Sequence, residues 1–173
     1  DAETVAATDD LSLVAHTGGS VADLVTEAVY DAGIEVVSAN DVMAELVAEH
    51  VVGATVAHLR GIPGLDRAMK AGGRGDDVSI RTLRGKSVGL VGLGTIGRYV
   101  LDHLGAFAPE VAVYDPYLDD DALDDYPFAE RAPLDEALDS AVVSVHASRT
   151  PETVGMLGAE ELATMPDGAV FVN

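Results

Sequence analysis

The sequence predicts an α/β protein built on a doubly wound parallel sheet. Short apolar runs alternate with segments of helical periodicity along the 173 residues, which is the pattern of strands joined by crossover helices. The central runs are apolar throughout, as expected for strands covered on both faces of a parallel sheet. A glycine-rich turn joins one of these runs directly to the helical pattern that follows. Hydrophobic residues make up 48% of the chain, so a buried core can form.

The N-terminal part of the chain supplies a predicted short buried strand at 11–15, a second predicted strand at 34–38, and a predicted helix between them at 21–32. A loop of small residues follows the first strand. Such a loop either presents backbone amides to a ligand or is a plain turn, and the residues alone support both interpretations equally. The candidate ligand-facing residues of this loop are Gly18, Gly19 and Ser20.

A long helix is predicted to begin at Asn40 or Asp41 and to end at Arg60, before a glycine and a proline. Its apolar residues occupy more than one face, so we expect it to be buried on two sides. A second helix, of this subunit or of another, would cover the second side, and residues 41–60 are the predicted homodimer contact. A shorter helix is predicted at 65–71.

Three glycines with the spacing G-x-G-x-x-G connect the central strand to the next helix. Gly92 lets the chain turn abruptly, Gly94 lets a pyrophosphate approach the backbone, and Gly97 lets the helix pack closely on the strand. The helix start would present unpaired N–H groups, including those of Thr95 and Ile96, to the phosphates. The spacing predicts a dinucleotide site, and a methyltransferase nucleotide site is the main alternative for the same glycines.

An acidic residue follows the next predicted strand. The helix predicted at 96–107 leads to an apolar run at 111–114, and Asp115 comes directly after it. A carboxylate at this strand tip can accept hydrogen bonds from both hydroxyls of an adenosine ribose and would repel a 2′-phosphate, which favours NAD over NADP. The alternative is that Asp115 only begins a turn before Pro116.

The rest of the chain continues the alternation, with helices predicted at 134–138 and 160–165 and strands at 141–145 and 169–172. The loop after the strand at 141–145 should lie near the ligand, because the carboxyl ends of parallel strands line the crevice. Its candidate cofactor-binding residues are His146, Ala147 and Thr150. For His146, a hydrogen bond to the backbone is favoured over an acid or base role.

Thirty acidic residues against ten basic ones give the chain a formal net charge of −20. Self-repulsion at this charge calls for strong screening, so the sequence predicts an acidic protein surface in a salt-loving cytoplasm. Nucleic acid is not an expected partner for such a surface, and no segment resembles a membrane span or a secretory signal. The absence of cysteine excludes disulfides and thiolate metal sites.

A cluster of aspartates is predicted to form a solvated loop rather than a calcium loop. The cluster lacks the alternating ligand spacing, the central glycine and the terminal glutamate of the calcium motif. Its members are Asp119, Asp120, Asp121, Asp124 and Asp125.

Several motifs in a fixed order resemble those of the D-isomer-specific 2-hydroxyacid dehydrogenases. Residues 83–98 are similar to the start of that family's cofactor domain, and 114–117 to its ribose-binding turn. Residues 145–153 and 168–173 match two further signatures, and 47–50 match the start of its long interface helix. The resemblance spans nearly the whole chain.

The resemblance implies a two-domain enzyme that interconverts a D-2-hydroxy acid and a 2-oxo acid with NAD. Residues 1–40 would be the C-terminal part of a flavodoxin-like substrate domain, and 41–173 a Rossmann-type NAD-binding domain that is incomplete at its C-terminus. The loop at 18–20 would hold the substrate carboxylate. The family's catalytic arginine, glutamate and histidine would lie beyond Asn173, so neither a catalytic residue nor a metal site is expected within the chain.

The chain departs from the family pattern in the substrate loop, in the glycine turn and in the loop after the strand at 141–145. The substrate loop lacks the family's aspartate, Ser148 stands where proline is common, and Thr95 stands where arginine is frequent. On this interpretation the chain is a fragment that binds NAD weakly or not at all and does not turn over. The alternative is a catalytically inactive dehydrogenase-like protein that senses NAD or controls assembly, and the residues after Asn173 would discriminate between the two.

Overall fold

The computed structural model describes residues 2–7, 10–22 and 24–173. These residues pack as two compact units that divide between Leu46 and Val47, and each unit has a parallel sheet of its own. Compact packing does not assign a role to either unit. The assignment of residues 1–40 and 41–173 to a substrate and a cofactor domain therefore stays a prediction.

The first unit is built on two parallel strands, β1 (Leu13–His16) and β2 (Glu35–Ser38), with the short helices α1 (Ala2–Ala6) and α2 (Glu27–Asp31). The predicted burial of the first strand is wrong, because no residue of β1 is fully buried. A sheet of two strands has two edges and too little area to be covered on both faces.

The helix predicted at 21–32 is wrong in its first half. The described residues before Thr26 form turns, and Thr26 itself is extended, with φ −99° and ψ 163°. The valines and the threonine of this segment lose χ1 freedom in a helix, so its propensity to start one is low. Helix α2 therefore begins only at Glu27.

The second unit contains a sheet of five parallel strands in the order β5-β4-β3-β6-β7. The strands are β3 (Ser87–Val91), β4 (Glu110–Tyr114), β5 (Ala129–Arg131), β6 (Val142–Val145) and β7 (Val170–Val172). The chain runs outward from β3 through β4 to β5, then crosses back to β6 on the other side of β3. This reversal between β3 and β6 opens a crevice at the carboxyl ends of both strands.

The predicted strands at 111–114, 141–145 and 169–172 are confirmed to within one residue at each end. Strand β5 was not predicted, because it has three residues, two of them charged and exposed, and so lacks an apolar run. Its position is set by pairing with β4, which a local pattern does not reveal.

Five further helices flank the sheets: α3 (Asn40–Leu59), α4 (Ile62–Lys70), α5 (Thr95–Leu104), α6 (Leu134–Leu138) and α7 (Ala159–Leu162). Helix α5 is shorter than the predicted 96–107, because a 3-10 turn at Gly105–Phe107 follows it. Helix α4 begins earlier than predicted, with Pro63 in its first turn, where a missing N–H costs nothing.

Within this chain, helix α3 is buried on one side, and burial of its second side by a helix of another subunit stays a prediction. The buried stripe recurs at helical spacing and consists of Ala44, Ala48, Val51, Thr55 and Leu59. On the other side Val42 is 77% exposed and Leu46 is 62% exposed. Among the described residues, α3 is also the helix long and apolar enough to span a membrane, with a mean hydropathy of 1.3, although core helices meet the same criteria.

The core of the second unit lies on both faces of β3. Leu90, Leu101 and Val113 are fully buried where α5 and β4 meet this strand. On another side a Cβ atom at Gly89 would overlap the carbonyl oxygen of Ala137, so α6 packs backbone to backbone against β3. These contacts fix the end of β3, where the glycine turn begins.

Candidate functional site

The turn after β3 requires glycine at its first position for two reasons. Gly92 has φ +93°, a conformation that side chains disfavour. A Cβ atom there would also lie 2.6 Å from the backbone nitrogen of Ala147, in the loop after β6. The turn and the loop after β6 therefore approach each other with no room for a side chain.

The other two glycines of the motif differ in their surroundings. A Cβ at Gly97 would lie 2.5 Å from the carbonyl oxygen of Gly92, so the first turn of α5 packs directly on the glycine turn. A Cβ at Gly94 would meet no atom within 4 Å, so this backbone faces open space. Gly94 precedes α5 without a side-chain cap, which leaves the first N–H groups of the helix, those of Thr95 and Ile96 among them, able to bind an anion.

Asp115 is oriented by two backbone hydrogen bonds at the tip of β4. Its Oδ2 accepts a hydrogen bond from the N–H of Leu93 at 2.8 Å, and its Oδ1 accepts one from the N–H of Tyr117 at 2.9 Å. The first bond ties the carboxylate to the glycine turn itself. Each oxygen keeps a further lone pair, so a pair of ligand hydroxyls could still be bound.

The loop after β6 forms the opposite wall. The Nε2 atom of His146 lies 2.8 Å from the Oγ of Ser144, and burial lowers the pKa of the imidazole to about 4. His146 is therefore neutral near pH 7. Its ring is hydrogen-bonded to the buried hydroxyl of Ser144 in β6, whereas the sequence favoured a backbone partner.

The turn that follows is fixed by its threonines. The Oγ1 of Thr153 accepts a hydrogen bond from the N–H of Thr150 at 2.8 Å and donates one to the carbonyl of Ser148 at 2.7 Å. Thr150 is thus held at the edge of the crevice.

A cleft of about 520 Å³ lies between these walls. It brings together six of the predicted cofactor-binding residues: Gly92, Gly94, Asp115, His146, Ala147 and Thr150. The other three, Thr95, Ile96 and Gly97, form the first turn of α5, next to Gly94. The open backbone at Gly94, the uncapped helix start and the fixed carboxylate fit the pyrophosphate and the ribose of a dinucleotide.

Tyr117 and Glu152 lie in segments that the sequence placed near the ligand, but their pairing was not predicted. The phenol of Tyr117 donates a hydrogen bond to the Oε2 of Glu152 at 2.7 Å, and both side chains line the cleft. This hydrogen bond, and then the charge of Glu152, raises the pKa of Tyr117. Both residues follow the carboxyl ends of strands, which was the available signal, but their pairing joins positions far apart in the chain.

The loop at 18–20 belongs to the first unit and is tied to the start of α3. The N–H of Ala39 donates to the carbonyls of both His16 and Gly18, each at 3.1 Å. A Cβ at Gly19 would lie 3.3 Å from the Oδ1 of Asn40. The loop is packed on its own unit, and the substrate-binding role of Gly18, Gly19 and Ser20 stays a prediction.

The five aspartates of the acidic cluster, at 119, 120, 121, 124 and 125, are all exposed, as predicted for a solvated loop. Within the described part of the chain, no group of histidine and acidic side chains is arranged to hold a metal ion.

Comparisons with known proteins agree with this geometry. Residues 52–173 match the family model of the D-isomer specific 2-hydroxyacid dehydrogenase, NAD binding domain. The chain is 34% identical over 175 residues to the D-3-phosphoglycerate dehydrogenase of Mycobacterium tuberculosis, which covers 100% of the chain and 33% of that protein. The chain thus spans about a third of the length of the curated relatives it matches first.

Solved structures give the same result for the fold. A Granulicella formate dehydrogenase is 28% identical, with a TM-score of 0.87 over 100% of this chain and 47% of its own. A glyoxylate reductase from Paecilomyes thermophila is 26% identical, with a TM-score of 0.84 over 100% of this chain and 53% of its own. The predicted Rossmann-type parallel sheet is therefore confirmed. The chain belongs to the D-isomer specific 2-hydroxyacid dehydrogenases through their NAD binding domain, and its cofactor is NAD.

Proposed function

We propose that this chain supplies the cofactor-binding part of an oxidoreductase that interconverts a D-2-hydroxy acid and a 2-oxo acid. The observation that carries the proposal is the Asp115 carboxylate, bonded to the glycine turn beside the open backbone of Gly94. The names of the relatives support the substrate class, since they include a phosphoglycerate dehydrogenase and a glyoxylate reductase.

Different residues of the cleft bind different parts of the cofactor. The backbone of Gly92, Gly94 and the first turn of α5 binds the pyrophosphate through N–H groups, without a cationic side chain. Asp115 accepts the ribose hydroxyls. His146, Ala147 and Thr150 line the opposite wall. When bound, NAD supplies the hydride acceptor, or NADH the donor.

His146 takes no part in proton transfer in this proposal. Its imidazole is held neutral by burial and is bonded to Ser144, so it is poorly placed to donate a proton near pH 7. The proton donor, its carboxylate partner and the arginine that holds the substrate are the residues the family resemblance implies beyond Asn173. The loop at 18–20 binds the substrate carboxylate in the same scheme.

The decisive experiment uses the full-length protein. Binding of NADH and of S-adenosylmethionine is measured by calorimetry in concentrated KCl, and oxidation of NADH is followed with a panel of 2-oxo acids. NADH binding with turnover supports the proposal. NADH binding without turnover on any 2-oxo acid would support the NAD-sensing alternative instead, and binding of adenosylmethionine alone would refute both.

Exposed apolar residues and the net charge support proposals on the oligomeric state of the protein and on its cellular environment. The exposed apolar residues of α3, among them Val42 and Leu46, support a homodimer through 41–60. The net charge of −20 supports a salt-loving cytoplasm, without nucleic acid or membrane as partners. Sedimentation across a range of KCl concentrations tests the dimer, and the dependence of folding on KCl tests the halophilic character.

A further inference from the structure

One tyrosine connects two carboxylates at the ribose end of the cleft. The backbone N–H of Tyr117 donates to Asp115 Oδ1 at 2.9 Å, and its phenol donates to Glu152 Oε2 at 2.7 Å. Asp115 follows β4, whereas Glu152 lies in the loop after β6. Tyr117 therefore joins the two walls of the cleft on the side where the ribose would lie.

The position of Glu152 is well defined although its side chain is exposed. The turn that carries it is closed by the Thr150 and Thr153 hydrogen bonds, which fix the backbone on either side of Glu152. The Tyr117 phenol then holds the carboxylate toward the cleft, which Glu152 lines.

Two acidic side chains lie at this end of the cleft. Both carboxylates are hydrogen-bonded to Tyr117 and both line the cleft. The hydrogen bond to Glu152 raises the pKa of the Tyr117 phenol most, and the charges of Glu152 and Asp115 raise it further. Among the described residues that line the cleft, these two acids are accompanied by no lysine or arginine. A ligand group placed here meets negative charge from two loops.

We propose that Glu152, held in place by Tyr117, is a second determinant of the choice of NAD over NADP. This inference rests on the proposed function, since it places the adenosine ribose at Asp115. The 2′-phosphate of NADP carries a charge of about −1.5 to −2 near pH 7 if it titrates as other phosphate monoesters do. Asp115 opposes this group from one side of the cleft and Glu152 opposes it from the other. Because Glu152 is exposed, we expect its effect to be modest and to depend on salt.

The test measures the dissociation constants of NADH and NADPH in the full-length protein by nucleotide fluorescence. The readout is the ratio of the NADPH constant to the NADH constant. Glu152→Gln removes the charge and keeps the size, and we expect the ratio to fall about three- to tenfold at the lowest salt at which the protein is folded. Tyr117→Phe frees Glu152 and should lower the ratio by a smaller factor.

Glu136→Gln is the matched control. Glu136 is an exposed glutamate on α6 that lies outside this cleft, so its exchange changes the net charge equally. We expect the ratio of the NADPH to the NADH dissociation constant in Glu136→Gln to equal that of the wild type. A second readout is salt: the effect of Glu152→Gln should shrink in several molar KCl, where the Debye length is about 3 Å or less. A lost structural contact would not be screened in this way.

Two results would overturn the inference alone: a wild type that prefers NADH while Glu152→Gln keeps the same ratio, or a ratio that falls equally in Glu136→Gln. An unchanged ratio in Tyr117→Phe would overturn the positioning role of Tyr117. A wild type that binds neither nucleotide would overturn the proposed function, and this inference with it.

Discussion

The glycines of the turn allow the requirement for folding to be separated from the requirement for binding. A Cβ at Gly97 would lie 2.5 Å from the carbonyl oxygen of Gly92, a distance that real Cβ contacts do not show. Relief of this contact needs a backbone shift of several tenths of an ångström in α5 or the turn. Overpacking of this kind costs about 1–3 kcal/mol. For a unit of this size we expect Gly97→Ala to lower the melting temperature by about 3–10 °C.

Gly94→Ala is the matched exchange with the opposite expectation. Its Cβ meets no atom within 4 Å, and Gly94 has φ −76° and ψ −160°, which alanine also adopts. The loss of flexibility in the unfolded chain should leave the melting temperature unchanged or raise it, by up to about 1 kcal/mol of stability. The new methyl group would instead occupy the approach of the pyrophosphate. We expect NADH affinity to fall at least tenfold, or about 1.4 kcal/mol.

Both variants are compared with the wild type in concentrated KCl. Circular dichroism gives the melting temperature, and nucleotide fluorescence gives NADH binding in the full-length protein. The reasoning would be refuted if Gly94→Ala were as destabilised as Gly97→Ala, because the space at Gly94 would then be occupied in solution. Normal NADH binding by a folded Gly94→Ala would refute the placement of the pyrophosphate.

Three further predictions concern Asp115, His146 and the exposed side of α3. Asp115→Ala should weaken NADH binding about tenfold and reduce discrimination against NADPH, measured by calorimetry, and an unchanged preference would contradict the ribose role. His146 binds a proton less readily in the folded protein than in the unfolded chain, since its pKa falls from 6.5 to about 4. The contribution of the neutral His146 ring to stability should therefore be complete above pH 6.5 and be lost as the pH falls toward 4. His146→Gln should show a smaller drop in melting temperature between pH 7 and pH 5 than the wild type. An equal drop in both proteins would argue against the buried neutral ring. Leu46 is 62% exposed on α3, and Leu46→Glu should shift the protein from dimer to monomer in sedimentation. Its melting temperature should fall only by the amount that loss of the dimer accounts for. An unchanged dimer would place the interface elsewhere.

The glycine turn could be predicted because its signal is local. Gly92, Gly94 and Gly97 lie between an apolar strand and a helix, and the strand, the turn and the helix are adjacent in sequence. Asp115 could be predicted for the same reason, as the first residue after the next strand. The hydrogen bond from Leu93 to Asp115 and the contact between Gly92 and Ala147 needed the structure, because they join separate crossovers.

The wrong or missing structural predictions also concern contacts between segments that are distant in the sequence. Strand β5 exists because β4 offers an edge to pair with, although its own residues are short and charged. The apolar composition of helix α3 likewise did not reveal which stripe the chain itself covers, because burial depends on what lies against each side; cover of the other side by a second subunit stays a prediction. Strand β1 was expected to be buried because of its apolar residues and is exposed in part.

The sequence by itself determined the class of sheet, the position of the glycine turn and the acidic residue at the tip of the next strand, because strand periodicity, glycine spacing and strand ends are short-range properties. Only the tertiary structure decided the strand order, the side of α3 that is buried and the pairing of Tyr117 with Glu152 across the cleft. These features depend on which segments meet after the crossovers, and the free energy of such contacts comes from burial and pairing between residues that are distant in the chain.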